Sequence, residues 1–88
     1  MKKFYVYILY SEKLNRFYTG QTQDVEKRLI RHNNGYERYT SRGIPWELKC
    51  TMECDTRADA MKLERKIKNF KSQKRMISFI QEVVGSEK

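Results

Sequence analysis

Eighty-eight residues suffice for one small domain, taken to span 1–88, and are too few for two hydrophobic cores. A hydrophobic content of 39% with 12% aromatics excludes a globally disordered chain, and the longest apolar run, Phe4 to Tyr10, is far too short to cross a membrane. Nineteen Lys and Arg against eleven Asp and Glu leave a net charge of +8, which excludes an acidic surface and points to a polyanionic partner such as nucleic acid, a merely soluble basic surface being the other reading.

Met1-Lys2-Lys3 ahead of an apolar run has the outline of a signal peptide. The run is aromatic, lacks a small-residue cleavage site and flows into Ser11-Glu12-Lys13. It reads instead as a first strand, Lys3 to Tyr10, rich in β-branched and aromatic residues. Ser11 to Asn15 is a polar turn and Arg16 to Gly20 a second strand, which together predict an antiparallel hairpin. Gly20 marks a place where the chain bends sharply or another group comes close. Asp24 suits the N-cap of a helix to about Asn34, with Gly35 as its stop. At about 100° per residue, Val25, Arg28, Leu29 and His32 share one face of that helix.

Gly35 to Pro45 has no periodicity and predicts a loop of about ten residues, carrying Tyr36, Arg38, Tyr39 and Arg42, long enough to suggest a functional role. Trp46 to Glu53 alternates, with Trp46, Leu48, Cys50 and Met52 expected on one side of a third strand. Thr56 and Asp59 form a variant capping box for a second helix with Ala60, Leu63 and Ile67 inward. Ser72 restarts the chain into a last helix with Met76, Phe79, Ile80 and Val83 inward, ending at Gly85. The expected fold class is therefore a small α/β domain, a three-stranded sheet with an antiparallel first hairpin flanked by about three helices. Cys50 and Cys54 match no zinc or redox spacing and read as reduced thiols of a cytoplasmic protein.

Seven Lys and Arg residues fall between Lys62 and Arg75, and Glu64 is the one acid among them. It sits about 40° from Ala60 on the helical wheel, on the inward side, where a carboxylate is costly unless paired or bound to a cation. Two readings stand. One is an ion pair with an inward arginine such as Arg28; the other is a divalent-metal ligand, since Mg²⁺ commonly takes one or two carboxylates and completes its shell with water and substrate phosphate. Arg28 and His32, one helical turn apart, offer a forked phosphate donor beside a titratable imidazole; a surface ion pair and a hydrogen-bonded buried ring are the plainer alternatives. Tyr5, Tyr7 and Tyr18 are, on periodicity alone, core aromatics with hydrogen-bonded hydroxyls.

Tyr5-Val6-Tyr7 followed by Tyr18-Thr19-Gly20 resembles the paired tripeptides of the GIY-YIG nucleases. Arg28 and His32 beyond Gln21-Thr22-Gln23-Asp24, and Glu64 within Ala60–Lys68, follow the same family's order, so the likeness covers nearly the whole chain. It is strongest to the small stand-alone bacterial members, which are similar to the N-terminal nuclease module of the excision-repair subunit UvrC. The resemblance implies metal-dependent hydrolysis of DNA phosphodiesters, with a single Mg²⁺ or Mn²⁺, in repair or recombination. It implies a catalytic set of Tyr7, Tyr18, Arg28, His32 and Glu64. Within that set Glu64 would hold the metal, Arg28 would stabilise charge on the phosphoryl oxygens, Tyr18 or His32 would be the general base and Tyr7 would position water or phosphate. A tyrosine base starts from a pKa of about 10 and needs help, whereas histidine, at about 6.5, does not. Three departures stand out: Tyr5 in place of the first glycine, Gln21 where a lysine often follows the second tripeptide, and Met76 where some members carry asparagine.

Gln21, Lys27, Arg31, Arg38, Tyr39, Arg42, Lys68 and Lys71 are the candidate DNA contacts, combining charge with an aromatic platform; a solvated basic rim is the alternative. The expected substrate is DNA that is branched, nicked or single-stranded. Two rivals belong to other classes, a non-catalytic nucleic-acid-binding module and a protein-interaction domain with an acidic partner. No membrane partner is expected, and a protein partner that targets the domain to its substrate is left open.

Overall fold

The computed structural model describes residues 3–86, so the Met1-Lys2 portion of the signal-peptide question lies outside the described residues. The described residues run in the order β1 (Phe4–Ser11), β2 (Arg16–Thr22), α1 (Val25–Asn33), a short 3-10 turn (Ser41–Gly43), β3 (Trp46–Cys54), α2 (Arg57–Lys68) and α3 (Gln73–Ser86). The sheet order is β2-β1-β3 and both pairings are antiparallel, giving the α/β fold expected.

β1 occupies the centre because both of its faces are apolar. Val6, Tyr7, Ile8 and Leu9 are all buried, at most 1% exposed. Val6 and Ile8 pack with Ala60 and Ile67 of α2 and Met76 and Ile80 of α3. Tyr7 and Leu9 turn the opposite way, to Trp46, Tyr18 and the half-buried Val25 and Leu29 of α1. Period-2 alternation along one strand thus divides the interior into two layers.

The hairpin closes over Glu12–Asn15. Asn15 takes a positive φ of 51°, a conformation asparagine tolerates, and its side chain accepts a 2.6 Å hydrogen bond from the Tyr10 hydroxyl. Gly20 is not a bend, since β2 runs through it to Thr22. It pairs with Tyr7, and a Cβ added there would stand 2.5 Å from the Tyr7 hydroxyl oxygen. The glycine is a gap through which that phenol lies.

The helix ends follow their caps. Asp24 accepts from the Lys27 backbone N–H at 3.1 Å, Thr56 from Asp59 at 3.1 Å and Ser72 from Arg75 at 3.1 Å. Gly35 turns with φ of 79° just past α1. α3 continues one residue beyond the expected stop at Gly85.

β3 overturns one expectation. Ile8 pairs with Cys50, but Leu9 pairs with Leu48, so an irregularity leaves Lys49 as an extra residue. A bulge of this kind reverses the facing of everything on one side of it. Cys50 therefore lies with Val6 and Ile8, Trp46 with Tyr7 and Leu9, and Leu48 is 37% exposed. The four residues Trp46, Leu48, Cys50 and Met52 do not share one side.

This placement predicts a sharp contrast in urea unfolding. Ile8→Ala should cost about 2–5 kcal/mol, as for deletion of a fully buried aliphatic chain. Leu48→Ala should cost less than about 1 kcal/mol, and a loss matching that of Ile8→Ala would return Leu48 to the core.

Candidate active site

Tyr7 on β1 and Tyr18 on β2 lie in the layer that faces α1, where Arg28 and His32 stand a turn apart. The Tyr7 hydroxyl lies 2.9 Å from His32 Nε2, and His32 Nδ1 lies 2.7 Å from Thr40 Oγ1. The imidazole is only 1% exposed. Thr40 Oγ1 can donate to the Glu37 carbonyl at 3.3 Å, which leaves it to accept from an Nδ1–H. That assignment, made from the hydrogen-bond pattern, puts the lone pair of Nε2 toward the phenolic proton of Tyr7. The loop is fastened in turn: the Trp46 indole N–H donates to the Thr40 carbonyl at 2.6 Å, and Asn33 clamps the Trp46 backbone through both its amide atoms at 2.6 and 3.1 Å.

Burial lowers the His32 pKa from its ordinary value, Glu37 opposing and Arg28 and Arg31 assisting, so the ring is held neutral. Burial also pushes the Tyr7 phenol up to about 12, against the pull of the Arg28 guanidinium beside it. Arg28 Nε is buried and has no hydrogen-bond partner, while one Glu37 carboxylate oxygen stands 3.7 Å from Arg28 Nη1 and 3.6 Å from Arg31 Nε. The Tyr18 ring meets His32 edge-on at 5.1 Å, with Tyr7, Tyr39 and Trp46 at 6.4, 5.9 and 6.2 Å. It is the hydroxyl of Tyr7, rather than that of Tyr18, that engages the imidazole.

Glu64 lies in the other layer. Its Oε1 accepts from the Gln21 side-chain amide at 2.9 Å and its Oε2 pairs with Lys68 at 2.7 Å, the side chain being 18% exposed. Arg28 is not its partner. Gly20 and Gln21 are consecutive on β2, the first opposite Tyr7 and the second bonded to Glu64. Four of the five expected residues thus form one cluster, and the fifth stands on the far side of the same strand. Among the described residues, no three of His, Cys, Asp and Glu are grouped as a ready metal cage.

The expected DNA contacts divide similarly. Lys27, Arg31, Arg38, Tyr39 and Arg42 are exposed on α1 and the following loop, whereas Lys68 and Lys71 are exposed where α2 ends. Thr40 and Glu37 escape sequence reading. Neither belongs to a periodic element, and the only available signal is that Glu37 is the sole acid between Glu26 and Glu47.

With this geometry in view, the chain belongs to the GIY-YIG catalytic domain family, whose model matches residues 3–76, and whose members are in general nucleases. It is 42% identical over 77 residues to a UPF0213 protein of Staphylococcus saprophyticus, covering 86% of this chain and 93% of that one. It is 36% identical over 90 residues to the UPF0213 protein YsiG of Lactococcus lactis, covering 100% and 85%. In three dimensions it is similar to the solution NMR structure of the UPF0213 protein BH0048 from Bacillus halodurans, with a TM-score of 0.58 and 30% identity over 90% of this chain and 83% of that one.

Two measurements check the buried Tyr7–His32–Thr40 hydrogen-bond chain. Thr40→Val removes the partner of Nδ1 and should cost about 1–3 kcal/mol, the penalty of an unpaired buried donor. Because the folded His32 pKa lies below its ordinary 6.5, the unfolded chain binds that proton more readily. Stability should therefore be full above 6.5 and decline as pH falls through the gap to the folded value. Thermal melting across the neutral to mildly acidic range reads this, and a melting point that rises on acidification contradicts it.

Proposed function

We propose that this chain hydrolyses phosphodiester bonds of DNA, with a single Mg²⁺ or Mn²⁺ as cofactor. The reading is carried by the Tyr7–His32 hydrogen bond with the Arg28 guanidinium alongside. A phenol pushed up to about 12 does not stand ionised at neutral pH, so Tyr7 acts as a relay. As a water attacks phosphorus, its proton passes to the Tyr7 oxygen while the phenolic proton passes to His32 Nε2; one proton moves in net from water to imidazole. The lowered His32 pKa keeps that acceptor neutral beforehand. Of the two bases expected, Tyr18 and His32, this keeps His32 as the final proton acceptor, interposes Tyr7 before it, and leaves Tyr18 to position water or phosphate. Arg28, with a donor unpartnered, is suited to the non-bridging phosphoryl oxygens, where charge develops.

Glu64 fits a metal of the kind that takes one carboxylate and completes its shell from water and substrate, and does not fit a protein-only cage. When bound, the ion supplies Lewis-acid stabilisation of charge on the phosphate and leaving oxygen. Gln21, at the position where the family resemblance leads to an expected lysine, orients the Glu64 carboxylate in place of adding charge. The phosphate is proposed to sit at the β2 edge around Gly20-Gln21, toward which both halves of the catalytic set converge. Branched, nicked or single-stranded DNA and a repair or recombination setting complete the proposal, with a targeting protein as an additional partner.

The test is a panel of flap, nicked, duplex and single-stranded DNA with Mg²⁺, Mn²⁺ or EDTA. Wild type should cut with either metal and not with EDTA, Glu64→Ala should not cut, and Tyr7→Phe should be slower by about 10²–10⁴-fold while still binding. Binding with no cutting under any metal would favour the non-catalytic module. Failure to bind any of these DNAs would favour the protein-interaction domain.

A further inference from the structure

A groove of about 970 Å³ is lined by Arg16 to Thr19 of β2, by Tyr39 and by residues where α2 gives way to α3, Lys68 and Lys71 among them. β2 is an edge strand, so its outer side has no strand neighbour among the described residues. Arg16, Lys68 and Lys71 line the groove and, among the described residues, no Asp or Glu does. Lys68 is paired with Glu64, whereas Arg16 and Lys71 enter no ion pair among the described residues. Tyr39 lines the same groove, is 78% exposed and lies 5.9 Å from the Tyr18 ring, which in turn lies 5.1 Å from His32. An open aromatic face therefore leads, ring by ring, from the groove to the imidazole.

We infer that this groove seats one unpaired strand of nucleic acid, with Arg16 and Lys71 on its phosphates and a base stacked on Tyr39. The inference rests on the reading of DNA as the partner but not on catalysis. Cations alone would serve a duplex equally well. An exposed ring does not, because base faces are available for stacking only when a strand is unpaired. Arg16 is the residue that sequence reading passes over: it opens β2, where it looks like an ordinary surface arginine.

The test is fluorescence anisotropy in EDTA, where nothing is cut, comparing labelled oligo-dT of about 12 nucleotides with a blunt duplex of equal charge. Oligo-dT should bind at least about tenfold tighter. Tyr39→Ala should weaken oligo-dT by about 5- to 150-fold and leave the duplex unchanged. Arg16→Gln and Lys71→Gln should each lower the salt slope by about 0.7, the value for one lost single-strand phosphate contact. Lys62→Gln, exposed and outside the groove, should change neither. All four side chains are exposed, so the variants keep the fold. Equal affinity for duplex and oligo-dT, or indifference to Tyr39, overturns the proposal. So does displacement of the oligonucleotide by an acidic peptide that adds to the β2 edge, and so does failure to bind oligo-dT. Groove-dependent binding with no cutting would sink only the catalytic reading, and cutting of DNA indifferent to Arg16, Lys71 and Tyr39 would sink only the groove.

Discussion

The hydrogen bond between the Tyr7 hydroxyl and the His32 imidazole joins two polar groups that are both almost wholly out of water, and one layer of the molecule is arranged around that fact. A buried polar atom left unpaired costs about 1–3 kcal/mol, so satisfying Nε2 obliges the fold to satisfy Nδ1 as well. Thr40 meets that requirement, and it stays in place because its carbonyl receives the Trp46 indole and Asn33 ties Trp46 to α1. The aperiodic segment between α1 and β3 is therefore the structural complement of one imidazole. Gly20 is the matching requirement on β2, where any side chain would occupy the space of the phenol.

Strand alternation then determines which residues can cooperate directly. Tyr7, Tyr18 and the α1 side chains share a layer, while Glu64 belongs to the layer of α2 and α3. The two communicate around the edge of β2, because Gly20 and Gln21, being consecutive, must face opposite ways. The edge position is essential to this arrangement: had β2 been the central strand, a further strand would have separated the two sets. The order β2-β1-β3 keeps that side open.

Much of this was legible beforehand, and the failures have identifiable physics. Every strand and α-helix was readable from β-branched and aromatic runs, from 3.6-residue periodicity and from the caps at Asp24, Thr56 and Ser72, whereas the 3-10 turn Ser41–Gly43 falls inside the expected loop. The facing of Trp46 was not, because a bulge at Lys49 inserts a residue without leaving a compositional mark. Arg28 and His32 were correctly placed together since a helix fixes i and i+4 neighbours. The partners of Glu64 were not readable, as an inward position on a helical wheel does not reveal what stands opposite; the choice of Gln21 and Lys68 over Arg28 follows from which sheet face α2 covers. Thr40 and Glu37 lie in a loop held by tertiary contacts, where local propensity carries no signal. Met76, read as a departure from the family pattern, is buried in the core beside Ile80, so its side chain serves packing.

The charge distribution completes the connection between fold and chemistry. The chain carries a net +8, yet the cations beside the Tyr7–His32 pair, Arg28 and Arg31, share the Glu37 carboxylate, while in the other layer Lys68 is paired with Glu64. The arginine contacts, at 3.6–3.7 Å and partly exposed, are too long for good hydrogen bonds and belong to a class worth at most about 1 kcal/mol. Such pairs restrain a guanidinium without binding it tightly, so an incoming phosphate, with more charge and more acceptor oxygens than one carboxylate, can displace Glu37 at little cost. At Tyr7 burial is the largest influence and prevails over the pull of Arg28, with Glu37 adding a small push in the same direction, so the phenol stays protonated. Burial acts on both groups, raising the Tyr7 phenol and lowering the His32 imidazole, and so keeps the proton on Tyr7 and the lone pair on His32, the state the proposed proton transfer requires.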